Sequence, residues 1–252
     1  MNDLEVAETA ARRAGELLLG RFGRPARHVE RKSSATDMVS DADRAAEEAI
    51  ASLLRTERPD DALLGEEGAQ EGGSSGRRWV VDPLDGTTNY LYGFPQWAVS
   101  VAVEEGNSGV LVGVVLDPAR DELFAATRGG GATLNGEPIA LRAAPPLAEA
   151  LVATGFSYEP AVRAAQAQTL RAVLPRVRDV RRAGAAALDL AWLAAGRLDG
   201  YYERGLKPWD WAAGRLIVTE AAGEVAELPG EPKGLAAATP ELLPRLLELV
   251  AG

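Results

Sequence analysis

The chain has 252 residues, 46% of them hydrophobic and 25% charged, a globular composition long enough to bury a large core without disulfide staples. It contains no Cys and a single His, His28, which excludes thiolate nucleophiles, iron–sulfur and zinc–thiolate sites and any mechanism needing two imidazoles. A formal net charge of −10 repels nucleic acid and anionic membranes, so the expected chemistry runs on carboxylates, hydroxyls, backbone groups and a hard metal ion. The acidic N-terminus lacks the apolar core of a secretory signal and no apolar run reaches transmembrane length, so no membrane association and a cytoplasmic location are expected.

In chain order, Asp3 to Gly20 reads as an amphipathic helix, with Leu4, Ala7, Ala11, Ala14, Leu17 and Leu18 near helical spacing. A polar stretch follows, and a second helix begins near Ser40, whose hydroxyl can cap it, and ends before Pro59. The apolar run Ala62-Leu63-Leu64 meets Gly65-Glu66-Glu67, and Trp79-Val80-Val81 reads as a buried strand leading into Asp82. Beyond Trp97 the pattern becomes stranded: 97–103, 110–116 and 122–126, with Asn135-Gly136 as a hairpin turn. After Pro145-Pro146, strands at 151–154 and 201–202 alternate with helices at 160–174, 184–195, 208–222 and 240–250. Two α/β halves are expected, 1–145 and 146–252, forming one catalytic unit.

The segment from Trp79 to Tyr90 carries the chemistry. A strand delivers Asp82, and Pro83 keeps the residue before it out of the helical region, so Asp82 and Asp85 can converge with the Leu84 carbonyl between them. Gly86-Thr87-Thr88 reads as the first turn of a short helix, whose N–H groups suit an anion. Hard oxygen ligands of this kind suit Mg²⁺. Asp-Pro and Asp-Gly are also common turn dipeptides, and Asp210 could simply cap the helix it opens. Glu66 and Asp210 nevertheless add two acids at two further element ends, which favours metal binding.

Gly65-Glu66-Glu67, Asp82-Pro83-Leu84-Asp85-Gly86-Thr87-Thr88-Asn89 and Trp209-Asp210 resemble the three signatures of the inositol monophosphatase family of Mg²⁺-dependent, lithium-sensitive phosphatases. The resemblance runs from about Leu4 to Ala238, through Arg128 to Gly136, Gly184 to Leu190 and Gly200 to Gly205. It implies an α/β (α+β mixed) fold, a layered αβαβα sandwich shared with fructose-1,6-bisphosphatases. It also implies two or three Mg²⁺ ions: one held by Glu66, Asp82 and the Leu84 carbonyl, a second by Asp82, Asp85 and Asp210, and a weaker third near Glu66. The Gly86 and Thr87 N–H groups would bind phosphate, while Thr87, bonded to Asp43, would orient the attacking water with Glu66. Lys32 falls in the segment resembling the family's mobile active-site loop. Two divalent ions roughly 4 Å apart can activate water and stabilise a leaving alkoxide, so no His base is required.

For the substrate, the resemblance assigns contacts to Asp85, Gly86, Thr87, Thr88, Ala186 through its N–H, Glu203 and Asp210. Glu203 alone could equally be a solvated acid at a strand end. The expected substrate is a small phosphorylated polyol or sugar, foremost myo-inositol 1-phosphate; fructose 1,6-bisphosphate, histidinol phosphate and 3′,5′-bisphosphate nucleotides are alternatives. A regulatory protein of the transcription machinery is a different class of reading, and direct nucleic-acid binding is not expected from the charge. A homodimer is implied by the resemblance. Two positions depart from the family pattern: Ala185, often Ser or Thr, and Ala222, often Gly. Gly72-Gly73-Ser74-Ser75-Gly76 fits a nucleophile-elbow pattern but lacks the preceding apolar strand and reads as a loop. Arg181-Arg182 reads as a solvated strand end, with contact to a substrate phosphate or a subunit partner as the alternative, and Trp209 and Trp211 read as core.

Overall fold

The computed structural model describes residues 1–24, 29–31 and 38–251; His28 and Lys32 lie outside the described residues. Helix α1 (Asp3–Leu19) starts at Asn2, whose side chain accepts the Glu5 N–H at 2.9 Å while the Asn2 N–H donates to Glu5 at 2.8 Å. The two-residue strands β1 (Glu30–Arg31) and β2 (Met38–Val39) pair antiparallel before α2 (Asp41–Glu57). Ser40 caps α2 as expected, accepting the Ala42 N–H at 3.2 Å. Both helices lay small and branched side chains, among them Ala7, Ala11, Leu18, Ala46 and Ile50, against the same face of a large sheet.

That sheet contains β3 (Ala62–Gly65), β4 (Gln70–Glu71), β5 (Arg77–Asp85), β6 (Ala98–Glu105), β7 (Val110–Asp117), β8 (Glu122–Thr127), β9 (Gly131–Leu134) and β10 (Glu137–Ile139). Its strand order is β10-β9-β8-β7-β6-β5-β3-β4, antiparallel throughout except between β3 and β5. The helix α3 (Thr87–Leu91) sits between β5 and β6. Alternation along β5 and β6 sends Trp79, Val81, Val99, Val101 and Val103 to α1 and α2, and Val80, Ala98 and Ala102 to the opposite face. The opposite face is small for a reason: a Cβ on Gly113 of β7 would stand 2.8 Å from the Ala213 carbonyl oxygen of a helix packed directly on it.

That helix is α6 (Pro208–Glu220), which shares the middle layer with α5 (Ala186–Ala194). A second sheet closes over them, with order β12-β11-β13-β15-β14, built from β11 (Leu151–Thr154), β12 (Asp179–Arg181), β13 (Gly200–Arg204), β14 (Glu224–Leu228) and β15 (Gly234–Ala238). Its outer face packs on α4 (Pro160–Val173) and α7 (Leu243–Val250) through Val152, Val173, Ala236 and Leu246. The layering is therefore the expected αβαβα. Among the described residues no helix is long and apolar enough to cross a membrane.

Several boundaries differ from the sequence reading. The strand through Trp79 does not stop at Asp82 but continues to Asp85, with a register shift between them that accommodates Pro83. Helix α6 starts at Pro208 as expected, because proline fits the first helical turn, and ends at Glu220 rather than 222; Asp210 is its third residue and not its cap. The strands β14 and β15 were not foreseen, and α7 begins at Leu243 rather than Pro240.

Candidate active site

The β5 bulge presents Asp82 and Asp85 from one short segment. Asp82 is 1% exposed and its Oδ1 accepts the Leu84 N–H at 2.9 Å, which folds the carboxylate back over the turn. Gly86 then leaves the strand at φ +94°, where a Cβ would lie 2.9 Å from the Gln96 carbonyl oxygen. Only glycine fits there, and α3 begins at the next residue. Asn89 fixes this turn against the middle layer: its side-chain amide donates to the carbonyls of Gln96 at 2.7 Å and Ala183 at 2.9 Å.

Thr87 and Asp43 meet as expected. Thr87 Oγ1 stands 3.0 Å from Asp43 Oδ1 and 3.1 Å from the Leu84 carbonyl oxygen, two acceptors for one hydroxyl hydrogen. Asp43 is fully buried and also accepts the Ser40 N–H at 2.9 Å and the Ser40 hydroxyl. Burial pushes its pKa up, against the opposing pull of the Ser40 and Thr87 hydrogen bonds.

Asp85 reaches across the layers. Its two oxygens accept the Ala186 N–H at 3.1 Å and the Ala187 N–H at 2.7 Å, at the start of α5. The departure at Ala185 thereby finds its compensation: α5 has no side-chain cap of its own, and the Asp85 carboxylate takes that place from the neighbouring sheet. The Ala186 N–H, expected to meet a substrate hydroxyl, is engaged with Asp85 here.

Glu66 follows β3 at the wall of the same site, and its charge is among the causes that raise the Asp82 carboxyl. Asp210 accepts the Lys207 N–H at 2.6 Å, and Ser100 of β6 holds the same helical turn by donating to the Trp209 carbonyl at 3.2 Å. Glu203 on β13 accepts the Tyr201 hydroxyl at 2.7 Å. The Glu203 carboxylate fills the space beside Gly155, where a Cβ would stand only 2.1 Å from it.

These elements border a cleft of about 470 Å³, whose walls include Glu66, Asp85, Gly86, Ala186, Glu203 and Asp210. Asp82, Leu84, Thr87 and Asp43 are buried behind that wall, and Thr88, half-buried in α3, is not among its described lining residues. Arg182 and Lys207 also border the cleft. Arg181 and Arg182 are both exposed, as expected; Arg181 is bound to Asp179 at 2.6 Å, and Arg182 also borders the cleft. Trp209 likewise borders the cleft, while Trp211 packs under the Arg215 guanidinium at 5.6 Å.

The acids feel one another. Burial raises the Asp82 carboxyl well above its ordinary range, and Glu66, Asp85 and Asp210 raise it further. Asp85 is pushed up to about 7 by burial, against the lowering effect of the Ala187 N–H. Burial and then Glu66 raise Asp210, and burial raises Glu203 against the pull of Tyr201 and Arg182. Such mutual repulsion is what a divalent cation relieves, and the donors are all hard oxygens, so the residues fit a hard cation. Among the described residues no three acidic side chains are already gathered into a ready-made ion cage.

A model of the inositol monophosphatase family matches residues 2–251. The chain belongs to the inositol monophosphatase family. It is 46% identical to the Nus factor SuhB of Xylella fastidiosa over 223 residues, covering 88% of this chain and 80% of that protein. It is 44% identical to an inositol-1-monophosphatase of Rhizobium meliloti over 237 residues, covering 93% and 88% of the two. Among solved structures, the extragenic suppressor protein suhB of Bartonella henselae superposes with a TM-score of 0.92 at 39% identity, covering 98% of this chain and 97% of that one. The Thermotoga maritima IMPase gives a TM-score of 0.89 at 32% identity, covering 99% and 97%.

Four residues around this candidate site have contacts that the sequence does not signal. Ser40 was read as a cap alone, yet it also holds Asp43. Gly155 makes room for Glu203, and a lone glycine after a strand carries no signal of that. Asp189, 2% exposed on α5 with an Oδ1 that finds no hydrogen-bond partner, sits in the field of Glu203 and Asp85, which add to burial in raising its pKa. Glu47, buried on α2, holds the loop of Glu66.

Proposed function

We propose that the chain is a Mg²⁺-dependent phosphomonoesterase whose substrate is myo-inositol 1-phosphate. The observation that carries this reading is the single cleft bordered by Glu66, Asp85 and Asp210, acids from three separate segments, beside the turn at Gly86 and with Asp82 buried in that turn. Family membership supports a phosphorylated substrate. Glu66, Asp82, Asp85, Asp210 and the Leu84 carbonyl would hold the cations, two or three per site. When bound, they supply charge neutralisation for the phosphoryl group and a nucleophile derived from water.

The chain's own residues do the positioning. The Gly86 and Thr87 N–H groups take phosphate oxygens, where the start of a helix favours negative charge. Thr87, with Asp43 accepting its hydrogen, turns an oxygen lone pair toward the attacking water; if the hydrogen points to Leu84 instead, that carbonyl is less available to a cation. Asp43 thus keeps two groups in their working orientation at once. Glu203, oriented by Tyr201, accepts hydrogen bonds from ring hydroxyls on the far side of the cleft. A loose phosphoryl transition state asks chiefly for this positioning and for charge neutralisation.

A second reading, a regulatory protein of the transcription machinery, is favoured by the name Nus factor carried by the Xylella relative. That name sits against the expectation, drawn from a net charge of −10, of no direct nucleic-acid contact. The two readings separate in a phosphate-release assay on inositol 1-phosphate, fructose 1,6-bisphosphate, histidinol phosphate and adenosine 3′,5′-bisphosphate, with and without Mg²⁺. Mg²⁺-dependent release with inositol 1-phosphate preferred is expected. Preference for another member changes the substrate and leaves the chemistry; no release from any of them favours the regulatory reading.

A further inference from the structure

The loop carrying Glu66 is gripped from beneath by a carboxylate that has no part in the chemistry above. Glu47 lies one helical turn beyond Asp43 on the same face of α2 and is 7% exposed. Its Oε2 accepts the Glu67 N–H at 2.8 Å and its Oε1 accepts the Ala69 N–H at 2.9 Å. The turn is closed by the Gly65 N–H donating to the Ala69 carbonyl at 2.7 Å, and the Glu66 N–H reaches the Val81 carbonyl of β5 at 3.2 Å. The amides of Gly65, Glu66, Glu67 and Ala69 are thereby all satisfied, two of them by one side chain.

Gly65 shows how closely the carboxylate is seated. A Cβ there would stand 2.2 Å from Glu47 Oε2 and 2.8 Å from Glu47 Cδ, so glycine is required for space. Without this grip the turn would keep only its backbone bonds at Gly65 and Glu66, with the Glu67 and Ala69 amides unpaired and Gly68 at φ +116° free to re-aim it. One face of α2 therefore supports both sides of the cleft: Asp43 holds Thr87, and Glu47 holds the peptide that carries Glu66 at the cleft wall.

We propose that Glu47 is a positioning residue that sets the affinity of the site for divalent cations by fixing the Glu66 loop, without itself touching cation or substrate. The proposal rests on the reading of Glu66 as a cation ligand. Outer partners that orient ligands commonly change metal affinity by about 10- to 100-fold when replaced, and Glu47 acts at one remove through two backbone bonds.

The test is calorimetric titration of the purified full chain with Mg²⁺ alone, no substrate present, on the wild type, Glu47→Gln, Gly65→Ala and Glu66→Gln, with circular dichroism to establish folding. Glu47→Gln keeps the volume but sets an amide NH₂ against a backbone N–H. It is expected to weaken Mg²⁺ binding by about 10- to 100-fold. Gly65→Ala, which displaces an intact carboxylate, is expected to weaken it similarly, and Glu66→Gln at least as much. The Mg²⁺ requirement for phosphate release should move with the calorimetric affinity, more than the maximal rate does. Folded Glu47→Gln and Gly65→Ala proteins that bind Mg²⁺ within about threefold of the wild type, while Glu66→Gln binds it weakly, would overturn the positioning role and leave the reading of Glu66 intact. Undiminished binding by Glu66→Gln would overturn that reading and this proposal with it. Should Glu47→Gln not fold, Gly65→Ala decides by the same criterion.

Discussion

A single buried carboxylate shows what the cluster demands. Asp82 lies 1% exposed with three acids in its field, so its charge is tolerable only when a cation shares the site. Asp82→Asn and Asp210→Asn are each expected to lower kcat by at least about 100-fold, beyond what outer partners usually cost. Both should leave the fold intact, since each removes a repelling charge; kcat at saturating Mg²⁺ with a circular dichroism spectrum tests both statements. Burial of Asp85, with repulsion from Glu203 and Glu66 adding to it, sets a pH dependence. Asp85 holds its proton up to about 7 when folded, against an ordinary value of 3.8, so between these pH values the folded chain binds a proton that the unfolded chain releases. In chelator, stability should therefore fall as pH rises from about 4 through 7, by at most about 1.4 kcal/mol per pH unit for each such group. Denaturant midpoints at pH 5 and pH 8 measure this, and saturating Mg²⁺ should reverse the difference. At this scale the acids and Thr87 were legible because the strand–turn–helix sequence constrains their positions. Gly155 and Asp189 were not, because their surroundings come from β13 and β5, far away along the chain.

Among the elements, the end of α6 carries a defined strain. Ala222 adopts φ +66° and completes a helix-ending turn in which the Ala222 N–H bonds the Thr219 carbonyl at 3.2 Å and the Gly223 N–H bonds the Val218 carbonyl at 2.9 Å. A left-handed conformation costs a residue with a Cβ roughly 1–2 kcal/mol, and glycine escapes most of that cost. Ala222 is exposed, so no packing is lost on truncation, and Ala222→Gly is expected to stabilise the fold by about 1 kcal/mol, read as a rise in the denaturation midpoint. The departure noted at this position in the sequence is thus a helix-termination effect with no bearing on chemistry. Most elements were legible from their own periodicity and punctuation, α1, α2 and the β9–β10 hairpin above all. Strand β15 was missed because Gly234-Leu235-Ala236-Ala237-Ala238 has neither β-branched residues nor alternation; pairing with β13 imposes the strand, and β14 pairs with β15 in turn. The extension of β5 through Pro83 was hidden because proline usually ends a strand, and only the bulge makes room for it.

Considered whole, the molecule joins its two sheets through a shared middle layer. Close contacts such as Gly214 with Leu190, where a Cβ would stand 2.7 Å from the Leu190 Cβ, lock α5 to α6, while both helices serve one core between the sheets. The acids follow the same plan: Asp82 and Asp85 come from the large sheet, Asp210 from the middle layer, and Glu203 from the small sheet. Neither half can unfold without stripping the other of its packing, so far- and near-ultraviolet circular dichroism should report one coincident unfolding transition. Mg²⁺ at about 100 times its dissociation constant should raise the stability of that single transition by about 2.7 kcal/mol. Two separate transitions, with only one moved by Mg²⁺, would contradict this account. The layering could be anticipated from the resemblance, whereas the capping of α5 by Asp85 is a tertiary arrangement that no local pattern announces.

Asp210 is flanked by two indoles, Trp209 at the cleft wall and Trp211 beneath a guanidinium. Any cation drawn to Asp210 alters the electric field at both rings, and so the colour and intensity of their emission. If Asp210 holds a cation as proposed, emission from these indoles is expected to shift on Mg²⁺ addition, an optical readout usable without label or substrate.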